Sequence, residues 1–439
     1  MQPLYRCQEF PAGSSAWSLP SLAVLIEPLG RPIDADVVVP GSKSVTNRAL
    51  ICAVLAEGTS KLTGVLDADD TQAMLGVADA VGAEVTQGDT ADTYTVVGTG
   101  GSLRPGPVSL DVRMSGTTAR FATPLAARGT GTYLVDGAPE MRARPMDESA
   151  AALRDVGVGV EGDTLPLTVR GGFTGGELTL AANVSSQFAS GMLLAAPGTP
   201  DGLRLRLQGD VVSRPYLDMT LAVMRAFGAE VEQPSPNEFI VAPGKGYTAT
   251  DYRIEPDASA ASYFFAMAAV TGGRVRIDGL GTGSLQGDVD FVDVLAQMGA
   301  DVDKGVDSIE VRGPDKLRGV DVDMSQISDT AQTLAAIAPF ADGPTRVTGI
   351  GFIRHKETDR VAAPVTELRR MGIDAVEEDD GFLIHPGEPQ PATIETYHDH
   401  RMAMSFAITG LMAPGIDIAD PGCVNKTFPT YWDVLQSLR

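Results

Sequence analysis

A chain of 439 residues carrying a formal net charge of −23 has room for two or three domains and should repel nucleic acid and anionic membrane surfaces. Its three cysteines, Cys7, Cys52 and Cys423, are few and unpatterned, which points to a reducing, cytoplasmic compartment. The apolar stretch Leu22-Ala-Val-Leu-Ile26 is too short for a signal core and lacks a basic flank, and no segment is long enough to span a bilayer.

In chain order, residues 1–20 fit no repeated pattern and read as an N-terminal extension. A strand, Ala35-Asp-Val-Val-Val39, then leads into the first of six helices that are apolar nearly all round: Val45 to Ala56, Thr118 to Ala127, Phe188 to Ala196, Ala258 to Val270, Thr330 to Phe340 and Met402 to Met412. Such helices are buried ones. Each is followed by a Gly-containing turn and a short alternating strand, as in Leu203-Arg-Leu-Arg-Leu, whose period of two indicates a sheet with one wet face. A second, amphipathic helix comes next and ends in glycine. Those glycines, Gly82, Gly157, Gly228, Gly299 and Gly372, recur about every 70 to 75 residues, the length of a whole supersecondary unit. The sixth unit begins near Asp399 and lacks its closing strand, while Ala35–Val39 lacks a unit. The two ends of the chain are therefore expected to meet. Three units would form one domain, residues 21–41 plus 257–439, and three the other, residues 42–256.

Polar clusters sit where the six helices start. Gly41-Ser-Lys-Ser-Val-Thr-Asn-Arg48 places Lys43, Ser44 and Arg48 at the first, where free N–H groups and the helix dipole favour an anion. A serine cap beside solvated cations would account for the same residues. The loop is no Walker A, because Ser42 stands where that motif needs glycine. Corresponding clusters are Ser115-Gly116-Thr117, Ser185-Ser186-Gln187, Asp257-Ala-Ser259, Ser328-Asp329-Thr330 and Tyr397-His-Asp-His-Arg401; for Asp257-Ala-Ser259 a plain cap is expected. A second set occupies the loops after the alternating strands: Arg142 and Arg144, Ser213-Arg214-Pro215-Tyr216, Lys356-Glu-Thr-Asp-Arg360 and Lys426. In an acidic chain, cations in corresponding loops point to a polyanion. His398 and His400 have no third ligand at suitable spacing, and Arg401 beside them would repel a cation, so no metal is expected.

These residues resemble the 5-enolpyruvylshikimate-3-phosphate synthase family. Pro40-Gly-Ser-Lys-Ser-Val-Thr-Asn-Arg-Ala49, Val184-Ser-Ser-Gln-Phe188, Lys356-Glu-Thr-Asp-Arg360, Asp399-His-Arg-Met-Ala-Met404 and Lys426-Thr-Phe-Pro429 carry the resemblance, which runs from about Leu29 to the C-terminus. It implies an α/β fold of two domains, an inside-out α/β barrel of six βαβαββ-type units with buried parallel helices, and an active site in the interdomain cleft. It also implies transfer of the enolpyruvyl group of phosphoenolpyruvate to the 5-hydroxyl of shikimate 3-phosphate, through a tetrahedral intermediate and with no metal or organic cofactor. By resemblance, Lys43, Arg144, Arg360, Arg401 and Lys426 bind phosphoenolpyruvate, with Gly116 and Gln187 lining its place. Lys43, Ser44, Arg48, Ser185, Ser186, Gln187, Ser213, Tyr216, Asp329 and Lys356 take shikimate 3-phosphate. Asp329 accepts the 5-hydroxyl proton, Glu357 donates to the methylene, and Lys43 completes the catalytic set. Three positions depart from the family pattern: Arg113 and Met114 before Ser115-Gly116, and Phe352 where many members carry asparagine. Two other functions share much of this logic, the sister transferase acting on UDP-N-acetylglucosamine and a non-catalytic phosphometabolite-binding protein.

Overall fold

The computed structural model describes residues 23–181, 185–209, 211 and 213–439; the extension expected over residues 1–20, with Cys7, lies outside them. The chain divides into two compact units, one of the residues up to Val39 together with Ala258–Arg439, the other Pro40–Asp257. No helix among the described residues is long and apolar enough to cross a membrane.

The repeated unit is most regular over residues 108–170. Strand Val108–Asp111 runs parallel to Thr132–Asp136, which pairs antiparallel with Leu167–Arg170, and Val160–Glu161 completes the sheet. Between the strands lie a buried helix, Gly116–Ala127, and an outer helix, Asp147–Asp155. This is a βαβαββ order; among the described residues five sheets have the same four-stranded order, and the sixth, which holds Ile416–Ile418, has three strands. Period-two patterning decides which face is wet. In Leu203–Gln208 the three leucines are buried, while Arg204 and Arg206 turn outward to Glu177 and Glu238.

The six buried helices are α1 (Lys43–Leu55), α2 (Gly116–Ala127), α3 (Ser186–Ala195), α4 (Ala258–Thr271), α5 (Ala331–Ile337) and α6 (His400–Met412). Several begin earlier than their apolar pattern, because a polar cap and first turn precede it. Helices α1 to α3 pack together in one unit and α4 to α6 in the other. Small residues set the separation: a Cβ on Gly191 of α3 would stand 2.5 Å from the Arg120 carbonyl oxygen of α2. The five periodic glycines all have positive φ, between 78° and 104°. After each, the next N–H reaches back five residues, from Ala83 to Ala78, Val158 to Leu153, Ala229 to Met224, Ala300 to Leu295 and Ile373 to Leu368. That is the Schellman closure, and only glycine enters its left-handed position without a Cβ penalty.

The ends of the chain meet through a different strand from the one expected. Val24–Ile26 pairs antiparallel with Ile416–Ile418. The strand expected there, Ala35–Val39, is observed as Asp34–Asp36 and instead runs parallel to Arg274–Asp278. Across that pairing Arg274 reaches Asp34 at 3.2 Å and Asp36 at 2.9 Å. The apolar Val24 and Ile26 suit the Ile416–Ile418 register. Tyr252–Arg253 pairs with Thr59–Thr63. Each strand that leads out of one unit thus belongs to the sheet it leaves.

Candidate active site

In the Pro40–Asp257 unit the polar residues gather on the first turns of α1, α2 and α3. Ser42, Ser115 and Ser185 cap them, accepting from Val45, Thr118 and Gln187 N–H respectively. The caps free the first turn for function. Lys43 places its ammonium 3.3 Å from the buried carboxylate of Asp70. Asp257 is not simply a cap of its own helix: its Oδ2 accepts the Lys43 N–H at 3.1 Å, and the first N–H of α4, from Ala258, goes to Gln286 Oε1 at 3.0 Å.

Arg48 is 1% exposed. Its guanidinium donates to Thr220 Oγ1 at 2.8 Å and to the carbonyls of Ser44 at 2.8 Å and Tyr216 at 3.1 Å, with Ser190 Oγ at 3.5 Å. The rings of Phe121 and Tyr216 flank it. All these partners are neutral, and no carboxylate lies against it among the described residues. Burial pulls its pKa down to about 10, against the opposing pull of Tyr216 and Cys52; it remains charged at neutral pH. Ser44 and Tyr216 thus join Arg48 through their backbones. Ser213, in the left-handed region at φ 54°, opens the helix Arg214–Ala226 beside them. Ser186 begins α3 next to Ser185, and both line a small pocket with Phe188, Leu207 and Leu217.

Gly116 begins α2, with two guanidiniums over it. A Cβ there would stand 2.7 Å from Arg120 Nη1 and 2.7 Å from Arg144 Nη1. Arg120 also donates to Gln187 Oε1 at 3.2 Å and the Pro145 carbonyl at 3.2 Å, and Gln187 Nε2 reaches Thr117 Oγ1 at 3.3 Å. The structure therefore brings Gly116, Arg144 and Gln187 together and separates Arg142 from them. Arg142 forms a two-point pair with Asp136 at 2.9 and 2.6 Å, and its side chain is 48% exposed. Its guanidinium holds the Asp136 carboxyl below the usual range. On the donor role that the family resemblance implies for this loop, Arg142→Ala is expected to leave the KM for phosphoenolpyruvate within about twofold, as for other exposed pairs. Arg144→Ala and Gly116→Ala, which remove or displace a guanidinium over the start of α2, should each raise it about tenfold or more. Steady-state kinetics on the three variants tests this, and equal effects would contradict it.

The other unit holds a network of charges. Arg360, 2% exposed, donates to Asp399 at 2.7 and 3.2 Å, to Asp329 Oδ1 at 3.1 Å and to Glu357 Oε2 at 2.8 Å. Arg401 Nη2 meets Asp329 Oδ2 at 2.7 Å, and Lys426 Nζ lies 3.7 Å from Glu357 Oε1. Burial works to lower the Arg360 pKa, but Asp399, Glu357 and Asp329 outweigh it and hold the group above its ordinary range. Asp399 also caps α6, accepting the Arg401 N–H at 2.9 Å. Ser259 donates to Asp288 and accepts from Arg401 at 3.4 Å. Asp329 does not cap α5; it sits in a single 3₁₀ turn, Ser328–Thr330, which aims its carboxylate at the two arginines. Lys356 ends the 3₁₀ turn Gly351–His355 and is half-buried.

Three residues here were not singled out from sequence. Asp399 lay within a quoted motif without a role. Arg120 had a signal, a lone arginine inside an apolar helix, the same that marks Arg48. Asp70 had none, since only tertiary folding brings it to Lys43. Of the departures, Phe352 packs on the hydrophobic core and Met114 is exposed. Arg113 takes φ 48°, with its N–H accepted by Asp111 Oδ1 at 2.8 Å. His398 pairs with Asp420 at 2.9 Å, while His400 is buried. Among the described residues no group of three or more His, Cys, Asp or Glu is gathered as a metal site.

Comparison with known proteins places this geometry. The family model for EPSP synthase (3-phosphoshikimate 1-carboxyvinyltransferase) matches residues 29–435. A 3-phosphoshikimate 1-carboxyvinyltransferase of Trichormus variabilis is 47% identical over 93% of this chain and 97% of its own length. One of Edwardsiella ictaluri is 43% identical over 95% and 99%. The solved EPSP synthase of Acinetobacter baumannii superposes with a TM-score of 0.81 at 28% identity, covering 94% of this chain and 97% of that one. With the family match spanning nearly the whole chain and both buried charge arrays falling inside it, the chain belongs to the EPSP synthase family.

Proposed function

We propose that both arrays serve the family reaction, each contributing cations to the donor. The chain transfers the enolpyruvyl group of phosphoenolpyruvate to shikimate 3-phosphate, as a 3-phosphoshikimate 1-carboxyvinyltransferase. Two phosphates and two carboxylates must be gathered and oriented, which calls for fixed cations rather than flexible ones. Lys43, Arg144, Arg360, Arg401 and Lys426 bind the donor, with Gly116 leaving room and Gln187 beside it. Arg48 and Ser44 hold the acceptor carboxylate, and Ser185, Ser186, Gln187, Ser213, Tyr216, Lys43 and Lys356 its ring and 3-phosphate.

The reaction also moves two protons. The 5-hydroxyl must lose one as it attacks C2 of the donor, and C3 must gain one. Asp329 takes the first and Glu357 supplies the second. The observation that carries this division is that both carboxylates lie against the cations a donor dianion would take: Asp329 on Arg360 and Arg401, Glu357 on Arg360 and Lys426. An arriving phosphate or carboxylate competes for those cations, and a carboxylate deprived of its countercharge favours its protonated form. Substrate binding thereby arms the acid. In the elimination the C2–O bond to phosphate breaks as a carboxylate takes a proton back from the C3 methyl, which restores the methylene; the proton lost by the 5-hydroxyl leaves with phosphate or to solvent. The reading includes a monomeric chain acting on small molecules in the cytoplasm, without nucleic acid and without a metal.

Phosphate release from purified protein tests it, with phosphoenolpyruvate and either shikimate 3-phosphate or UDP-N-acetylglucosamine, in chelated buffer. Release with shikimate 3-phosphate alone is expected. Release with the nucleotide sugar, or binding without release, would replace this reading with the sister transferase or a binding protein.

A further inference from the structure

We propose that Glu367 is a positioning residue for this reaction, a buried carboxylate that clamps the strained Tyr397–His398 turn and so fixes Asp399 against Arg360. Glu367 lies on the helix Ala362–Arg370, which follows directly from Arg360, and its side chain is 0% exposed. Its Oε1 accepts the Tyr397 hydroxyl at 2.6 Å; its Oε2 accepts the Glu395 N–H at 3.1 Å and meets Arg370 Nε at 3.2 Å. Arg370 also donates to the Thr393 carbonyl at 3.2 Å. One carboxylate therefore ties the segment after Arg360 to the segment before Asp399.

The held segment is unusual. Tyr397 and His398 both lie in the left-handed region, at φ 54° and 55°. Single non-glycine residues there are uncommon, and two in succession persist only where surroundings over-determine them. The turn lets the Asp399 N–H return to the Thr396 carbonyl at 2.8 Å, and places Asp399 where it caps α6 and binds Arg360. Burial and the adjacent Glu367 push the Tyr397 phenol up to about 12, so it stays a donor at any working pH. Neither Glu367 nor Tyr397 touches the proposed substrate ligands directly; they act through Asp399.

The inference rests on the reading that Arg360 and Arg401 bind the donor, so its test includes Arg360→Lys as a reference. Full-length wild type, Tyr397→Phe, Glu367→Gln and Arg360→Lys are compared by phosphate release with each substrate varied, and by thermal melting. Tyr397→Phe removes one hydroxyl from a side chain that is 38% exposed, so it keeps the question open to test should Glu367→Gln not fold. Both variants are expected to raise the KM for phosphoenolpyruvate about tenfold and lower kcat, with the KM for shikimate 3-phosphate within about twofold, because misplacing a group by a fraction of an ångström is felt only by the substrate it orients. Unchanged donor KM in Tyr397→Phe, an equal rise for both substrates, or a lower melting temperature with unaltered kinetics would each overturn the clamp. If Arg360→Lys itself leaves the donor KM unchanged, the donor assignment has failed, and that result is separate from failure of the clamp.

Discussion

Glu357→Gln and Asp329→Ala should each leave a folded protein that has lost most of its turnover, with kcat lowered about 10²- to 10⁴-fold, the range that general acid–base groups supply. The two losses have different signatures. Glutamine keeps the size of Glu357 and can still accept from Arg360, now at 2.8 Å, so donor binding should change little while proton delivery to C3 fails. The loss falls on kcat. Alanine at 329 removes an acceptor shared by Arg360 at 3.1 Å and Arg401 at 2.7 Å. A charge-assisted hydrogen bond in a buried setting contributes about 2 kcal/mol, so Asp329→Ala should also melt earlier. Arg360 still keeps Asp399 and Glu357, which is why the fold survives. Donor affinity in this variant should hold or rise, since two guanidiniums are relieved of a competitor. Rapid-quench measurement of a single turnover, beside calorimetric binding of phosphoenolpyruvate with the acceptor present, separates chemistry from binding. Near-normal single-turnover rates in both variants would remove these residues from the proton transfers.

The repeat was legible because its markers are local. A glycine in the left-handed position, a small residue, an acid and an apolar residue specify a helix end whose closing hydrogen bond spans only five residues, and each of the five copies makes it. Helix starts were legible for the same reason at Ser42, Ser115 and Ser185, whose caps reach two or three residues ahead. What could not be read depends on partners far away in the chain. Which N-terminal strand meets Ile416–Ile418 rests on pairings with residues far along the chain, Val24–Ile26 with Ile416–Ile418 and Asp34–Asp36 with Arg274–Asp278. Asp329 and Asp257 each precede a buried helix and look like caps, yet Asp329 binds two arginines and Asp257 accepts from Lys43. Arg142 and Arg144 are two residues apart in one loop, but only Arg144 lies over Gly116, because Asp136 takes the other. Short-range pattern finds the loops that carry cations; it does not say which cation in a loop a surface acid such as Asp136 takes.

Arg48 offers the sharpest separation of binding from stability. A fully buried guanidinium among neutral partners is costly: a drop from 12.5 to about 10 in its pKa corresponds to roughly 3 kcal/mol of unfavourable desolvation. Its hydrogen bonds to Thr220, Ser44 and Tyr216 return about 1 kcal/mol each, so the group nearly cancels in the folded protein. Replacement by a residue of similar length without charge should therefore cost little. Arg48→Met is expected to melt within a few degrees of wild type, in keeping with buried charges that yield to apolar residues without loss. The acceptor should feel the change strongly. On the proposal that the shikimate carboxylate is the counterion of Arg48, losing the guanidinium should raise the KM for shikimate 3-phosphate about 10²-fold or more, the cost of leaving one partner of a buried charged pair alone. Arg48→Lys restores the charge but not the planar fork that Thr220 and the two carbonyls grip, and should recover only part of the affinity. The phosphoenolpyruvate KM should stay within about threefold in both, because the cations proposed to hold the donor are others. A large fall in melting temperature for Arg48→Met would mean that a bound anion or an ordered network already stabilises this arginine, and an unchanged acceptor KM would mean that the carboxylate is held elsewhere.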